Sequence, residues 1–444
     1  MSDNKIIQID SSQKNSFQVT WDMGRRCNFD CTYCPDHRHN NSSSHASLET
    51  LIKTSKFVFD YKKLIDQYSV TPKEWMIGFT GGEPTNNPNL LDMCQYINEQ
   101  NDPMLSVDVT SNGSFSEKYC ERMYKLINKM TISYHCEANP KIKSRVLDRI
   151  YQVKDLKQKT SNGKFAKINL MIHADPNYWE ECMGLVKRFQ RDGIKFVPRI
   201  IGENYENSRY THRYTPEQHQ WFKDYWKEQN EIAQREREEE EIEKRRKTAE
   251  YEYKTETGAK TKSKSENMIE TMRKMNNGTK QVKVNHSCKI NKSIKKQDQT
   301  VNTRKELGRP CCGGGTMCTS NQSGKVSYAK QLPNTEFRDW GCLINWHWLH
   351  IEQEYDKILH HQTCRSTFGG KVGEIGTISD CEKIIDRLKK QFATGTMPVI
   401  KCPKKLCGCG LCISKAKNNE DITKLFYKTV KNLTPVLEGN LVDL

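Results

Sequence analysis

The chain has 444 residues, 35% of them hydrophobic and 28% charged, with a mean hydropathy of −0.85 and a formal net charge of +16. That length predicts two or three units rather than one small core, and the low apolar content predicts that part of the chain is solvated. No apolar run reaches the roughly 18 residues that would cross a bilayer, which excludes an expected membrane span.

The N-terminal Met1-Ser2-Asp3-Asn4-Lys5 lacks the apolar segment of a secretion signal. The 18 cysteines therefore predict a reducing, cytoplasmic setting in which thiols ligate metal or stay free. Residues 16–23 alternate apolar and polar and read as a strand, and a cysteine-rich loop follows. Leu51, Val58 and Ile65 recur every seven residues, which predicts a helix over 48–68. Strand patterns then come at 75–80, 105–110, 130–135, 166–173 and 194–201. Helix patterns at 90–99, 116–129, 141–157 and 178–192 separate them. Strands alternating with helices of this length pair in parallel through right-handed crossovers.

After about Tyr214 the pattern changes. Pro216 opens a helix, and 231–253 is a charged helix with Glu231–Arg235, Glu240–Lys244 and Glu241–Arg245 spaced i,i+4. Residues 254–306 hold 14 Lys/Arg against 5 Asp/Glu and read as a disordered linker, with a phosphate-binding arm as the alternative. From Arg309 the chain turns cysteine-rich, with short strand patterns at 325–329 and 342–349 and a helix pattern at 379–392. Ten cysteines fall between Cys311 and Cys412, and a small domain of this kind needs a metal to supplement its core. The divisions expected are 1–214, 215–306, 307–417 and a tail at 418–444.

The chemistry concentrates in three places. Cys27-Asn28-Phe29-Asp30-Cys31-Thr32-Tyr33-Cys34 sets three thiols at C-x3-C-x2-C. Three thiolates hold an iron–sulfur cluster with one iron left for another molecule, whereas structural zinc usually takes paired C-x2-C ligands. Gly81-Gly82-Glu83-Pro84 follows the second strand, where two glycines allow a close backbone approach and a carboxylate can accept from an ammonium. Cys402, Cys407, Cys409 and Cys412 lie within eleven residues, after Cys311, Cys312, Cys318, Cys342, Cys364 and Cys381. Cys94, Cys120 and Cys182 fall in helix patterns and read as buried thiols. The polar motifs all follow strands, and in parallel barrels those strand ends form the reactive face.

These motifs resemble the radical SAM superfamily over about residues 16–204. The resemblance implies a partial (β/α)6 barrel of TIM type. It also implies a [4Fe-4S] cluster on Cys27, Cys31 and Cys34, with S-adenosylmethionine chelated at the free iron and cleaved to a 5′-deoxyadenosyl radical. It places the methionine amine at Gly81–Pro84 and an aromatic, Tyr33, near the adenine. Ser111, Asn112 and Ser133 would reach the ribose or carboxylate. The C-terminal cysteines resemble SPASM or twitch extensions, which hold auxiliary [4Fe-4S] clusters, although C-x4-C-x-C-x2-C departs from the usual SPASM spacing. The auxiliary ligands implied are Cys312, Cys318, Cys342, Cys364, Cys402, Cys407, Cys409 and Cys412, with zinc as the alternative metal. A reductant such as flavodoxin or ferredoxin is implied as partner, and a peptide or protein side chain as substrate. RNA or nucleotide modification is the second reading, and a non-catalytic zinc protein binding nucleic acid the third. His135, Glu137, His173 and Arg199 are candidate substrate contacts, and Trp346-His347-Trp348 reads as core.

Overall fold

The computed structural model describes residues 8–10, 15–35, 38–159, 165–201, 212–256, 318–320, 326–327, 336–360, 374–402 and 413–437. The chain divides into two units, one of residues 1–218 and 308–444, the other of residues 219–307.

In the first unit, β1 (Gln8–Asp10) precedes a regular alternation. Its members are β2 (Ser16–Asp22), α1 (Leu48–Tyr68), β3 (Glu74–Thr80), α2 (Leu90–Glu99), β4 (Leu105–Ser111), α3 (Glu117–Leu126), β5 (Lys129–His135), α4 (Pro140–Lys159), β6 (Phe165–Ile172), α5 (Pro176–Arg191) and β7 (Phe196–Ile200). The predicted strands and helices are all present, with ends shifted by at most three residues. Helix starts follow local chemistry: Ser47 and Ser116 cap α1 and α3, and Asp175 caps α5 with Pro176 in its first turn.

β2 to β7 pair in parallel in chain order. An order that never reverses keeps every crossover on one face, which is the arrangement of a partial barrel rather than of a doubly wound sheet. The two faces differ in chemistry. Phe17, Val19 and Trp21 on β2 sit opposite Trp75, Ile77 and Phe79 on β3, all fully buried. Gln18, Thr20 and Asp22 point the other way, as do Asp108 and Thr110 on β4 and Thr131 and Ser133 on β5, by register. A polar inner wall does not close on itself as an apolar one does, and it leaves room for a ligand.

The C-terminal part contains β8 (Cys318–Ser320), β9 (Val326–Ser327), β10 (Gly341–Cys342), β11 (Trp348–Glu352), β12 (Lys357–Leu359), β13 (Glu374–Gly376), α7 (Cys381–Ala393), β14 (Thr396–Pro398), β15 (Ile400–Lys401), β16 (Lys415–Ala416), α8 (Asn419–Tyr427) and β17 (Thr434–Val436). Two expectations are corrected here. The strand pattern at 342–349 is split, and its second half, β11, runs parallel to β2 with Trp348 opposite Gln18 and Glu352 opposite Asp22. With β12 and β13 it extends the barrel sheet to nine strands, so part of the cysteine-rich segment belongs to the barrel sheet. Residues 418–437 are not a tail, since α8 buries Ile422, Leu425 and Phe426, and Lys431 N donates to Tyr68 O at 2.8 Å. Trp346 is buried, as expected of a core residue, with its Nε1 on Ser69 Oγ at 3.1 Å. β10, β15, β16, β1, β8 and β9 form a second sheet.

α6 (Pro216–Glu256) is a single helix of 41 residues where two segments were expected. Trp221 stacks on Tyr225 at 5.4 Å, and Glu241 pairs with Arg245 at 2.6 Å. The basic stretch at 257–306 lies outside the described residues. No described helix is long and apolar enough to cross a membrane.

Candidate active site at the C-terminal strand ends

The loop from Cys27 to Cys34 leaves β2 and is tied to the ends of four other strands. Its base closes where Cys27 N donates to Asn40 O at 2.8 Å and Asn40 N to Arg25 O at 2.9 Å. Within it, Cys34 N turns back to Cys31 O at 3.0 Å. From the end of β4, Asn112 Nδ2 donates to Asn28 Oδ1 at 2.8 Å, and Asn28 Nδ2 donates to Ser114 Oγ at 2.8 Å. Beyond β5, Glu137 accepts from Thr32 N at 2.8 Å and Thr32 Oγ1 at 2.5 Å, and it meets His173 Nε2 at 3.0 Å. Just after β11, Glu354 takes Arg25 N and Nε at 2.7 Å each and Ser43 Oγ at 2.8 Å, holding both flanks of the loop.

Gly81 and Gly82 serve the same loop. A Cβ on Gly82 would lie 2.4 Å from Arg25 O, and one on Gly81, at φ +130°, would lie 2.6 Å from Gly24 O. Gly82 N donates to Gly24 O at 2.7 Å and Glu83 N to Arg26 O at 2.8 Å. The close approach anticipated for a ligand is therefore made to the chain's own backbone.

The Glu83 carboxylate is buried and already engaged. Oε1 accepts from Thr85 N at 3.0 Å, Thr85 Oγ1 at 2.5 Å and Ser111 Oγ at 2.7 Å, and Oε2 accepts from Asn112 N at 2.6 Å. Burial raises its pKa against these bonds. Four protein donors make it first a clamp between the ends of β3 and β4, with Oε2 retaining acceptor capacity. Ser111 and Asn112 are committed to that clamp. Pro84 begins a short 3-10 turn and is buried away from the cavity.

These elements surround a cavity of about 290 Å³ lined by Cys27, Cys31, Cys34, Tyr33, Gly81, Gly82, Glu83, Ser111, Asn112 and Ser133, together with Phe29, His135 and Met171. Tyr33 is buried, and its hydroxyl meets His135 Nδ1. Burial holds Cys27 up at about 11 and Cys31 up at about 12, and pushes His135 down to about 4. Glu137 goes the other way: burial pushes it up, but bonds from His173 and Thr32 outweigh that and hold it low. His173 and Glu137 are thus loop supports, and Arg199 donates to Asn169 Oδ1 at 3.1 Å.

Three thiols around one cavity suit a multi-iron cluster, in which each thiolate takes a different iron. Among the described residues no three His, Cys, Asp or Glu groups converge on a point that would hold a single ion. Of the auxiliary set, Cys342 lies on β10 and Cys402 directly follows its partner strand β15. Cys342 faces Ile400 across β10 and β15, and Cys402 N donates to Trp340 O at 2.9 Å. Cys318 begins β8, three strands from β10 in the same sheet. Cys381 is buried at the start of α7. Cys311, Cys312, Cys364, Cys407, Cys409 and Cys412 lie outside the described residues. The supports Asn28, Thr32 and Glu354 were not singled out from sequence. Glu354 in particular carries no motif signal, because its partners are more than 300 positions away.

No family model and no curated protein matches the chain. Among solved structures it is similar to Streptococcus suis SuiB bound to S-adenosylmethionine, at 15% identity and a TM-score of 0.34 over 49% of each chain. It is also similar to anSMEcpe with bound AdoMet, at 13% identity and a TM-score of 0.41 over 85% of this chain and 82% of that one. A third is anSMEcpe with bound AdoMet and Cp18Cys peptide, at 17% identity and a TM-score of 0.35 over 49% of this chain and 62% of that one. The match spans about half of the SuiB chain. These are loose likenesses, and the function is read from the cavity's own residues.

Proposed function

We propose that the chain is a radical SAM enzyme, with Cys27, Cys31 and Cys34 as ligands of a [4Fe-4S] cluster and the adjoining cavity as the site of S-adenosylmethionine. The observation that carries this reading is the convergence of the three thiols with Gly81, Gly82, Glu83, Ser111 and Asn112 on one cavity. When bound there, such a cluster would supply the electron for reductive cleavage of S-adenosylmethionine. The chain's own part is positional. Glu137, Glu354 and Asn112 fix the cluster loop, Oε2 of Glu83 can take an ammonium hydrogen, and Tyr33 and Phe29 wall the cavity against water. A peptide or protein side chain is the substrate class, and a flavodoxin or ferredoxin the reductant. The C-terminal thiols, Cys342 and Cys402 among them, hold an auxiliary cluster.

The test is anaerobic reconstitution followed by S-adenosylmethionine and dithionite, with 5′-deoxyadenosine as the readout. Iron and that product together support the reading, and a colourless zinc-loaded chain with no product overturns it. A chain with Cys27, Cys31 and Cys34 all changed to Ala should still bind about four irons if the auxiliary cluster exists. Stoichiometric zinc there would make that part a structural zinc module.

A further inference from the structure

The wall built by β5, β6 and β7 carries charge that the reaction above leaves unused. Alternation along β5 puts Lys129 on the same face as Ser133 and His135, which line the cavity. Register then adds Lys167, opposite Thr131, and Arg199, opposite Met171, which also lines the cavity. Among the described residues of this wall one carboxylate stands against these three cations, Asp108 on β4, whose Oδ2 engages Lys129 at 2.7 Å. Its Oδ1 is buried and has no hydrogen-bond partner. Among the described residues Arg199 donates to a neutral amide, that of Asn169, which in turn approaches Ser133 Oγ at 3.5 Å. Among the described residues no carboxylate forms an ion pair with Lys167 or Arg199. Burial, then the neighbouring Arg199 and Lys129, lower Lys167 to about 8 against the pull of Asp108, and burial lowers Arg199.

Half-buried cations without a counter-charge are costly unless a ligand supplies it. A buried acceptor without a donor asks for the complementary group beside that ligand's anion. We propose that this wall recognises an acidic residue of a peptide substrate. Its carboxylate would lie on Lys167 and Arg199, and a backbone N–H would reach Asp108 Oδ1. The planar guanidinium of Arg199 suits the two oxygens of a carboxylate. A peptide brings a carboxylate together with backbone N–H donors and so fits both halves of the wall, whereas a DNA backbone, with anionic oxygen and no adjacent donor, fits one. The inference rests on the reading of the cavity as the place where substrate meets the cluster.

The full chain, reconstituted anaerobically and supplied with S-adenosylmethionine, is titrated calorimetrically with three probes. They are the blocked tripeptide Gly-Glu-Gly, its Gly-Gln-Gly counterpart and inorganic phosphate. The Glu peptide should bind about tenfold or more tighter than the Gln peptide, the usual size of a charge-assisted pair. Arg199→Gln and Lys167→Met should each collapse that ratio, and Arg199→Lys should keep part of it. Circular dichroism establishes that each variant is folded, and if Arg199→Gln is not, Arg199→Lys and Lys167→Met decide. Equal affinity for the two peptides overturns the proposal, as does a preference that persists in the folded variants. Phosphate binding tighter than the Glu peptide overturns it in favour of a phosphate site. The wild-type sample is also assayed for 5′-deoxyadenosine, so a missing radical reaction with an intact Glu preference counts against the enzyme reading alone.

Discussion

From β2 to β7 each strand pairs with the next strand in the chain, whereas in the C-terminal segment β10 pairs with β15 and β16, and β11 pairs with β2 across the whole molecule. The first region assembles from short-range units whose inner and outer faces are set by alternation. The second is made of strands of two to five residues, several of which pair with partners distant in the chain. Yet the second region reaches the candidate site of the first, because Glu354, two residues past β11, holds both flanks of the cysteine loop. A cysteine-rich extension that looks like an accessory in sequence supplies a support for the cysteine loop of the first region.

The strongest way to sharpen that contrast is to remove the thiols of the first region. Cys27→Ala, Cys31→Ala or Cys34→Ala should each abolish 5′-deoxyadenosine formation, since each removes one of three protein ligands. Cys402→Ala should leave measurable product if the auxiliary site is not needed to cleave S-adenosylmethionine. Product at wild-type level in any of the first three would end the cluster assignment.

Glu83→Ala comes next. It removes both the clamp between β3 and β4 and the acceptor facing the cavity, so S-adenosylmethionine affinity should fall about ten- to a hundred-fold, with a lower melting temperature. Glu83→Gln keeps the clamp's shape but supplies a weaker acceptor, and a smaller loss is expected by calorimetry. An unchanged affinity in both would confine Glu83 to a structural role.

Glu354→Ala tests the coupling between regions. Iron retained after reconstitution should drop about threefold to tenfold, a modest effect because Arg25 is a third exposed and the pair is screened by solvent. Full iron content with an unaltered cluster spectrum would show the loop to be self-supporting.

The smallest effect is on stability. Lys73, between α1 and β3, is only 1% exposed, and burial lowers it from 10.5 to about 7, with Asp66 pulling the other way. It lies within electrostatic reach of His347 of the C-terminal segment. Between about pH 7 and 10.5 the unfolded chain binds a proton that the folded chain does not. Stability should therefore rise with pH through that window, by at most about 1.4 kcal/mol per unit, and be lowest below it. Lys73→Met should flatten the slope in urea unfolding at pH 7 and pH 9, and an unchanged slope would assign it to other groups.

The sequence by itself determined the six strands, their helices and the rim that bears the cysteine loop. Period-two and seven-residue patterns, caps and prolines are local signals, and a parallel alternation admits few topologies. It also placed Cys27, Cys31, Cys34 and Gly81–Glu83 near one another, because each follows a strand of the same sheet. Only the tertiary structure decided what those residues touch. Gly82 is required by Arg25 O, Glu83 answers to Ser111 and Asn112, and Glu137 belongs to Thr32 and His173. Only the tertiary structure made β11 a barrel strand, and turned 418–437 from a tail into a packed helix and strand. These are contacts between residues far apart in the chain, chosen by burial and hydrogen-bond satisfaction in three dimensions, and no local pattern encodes the partner.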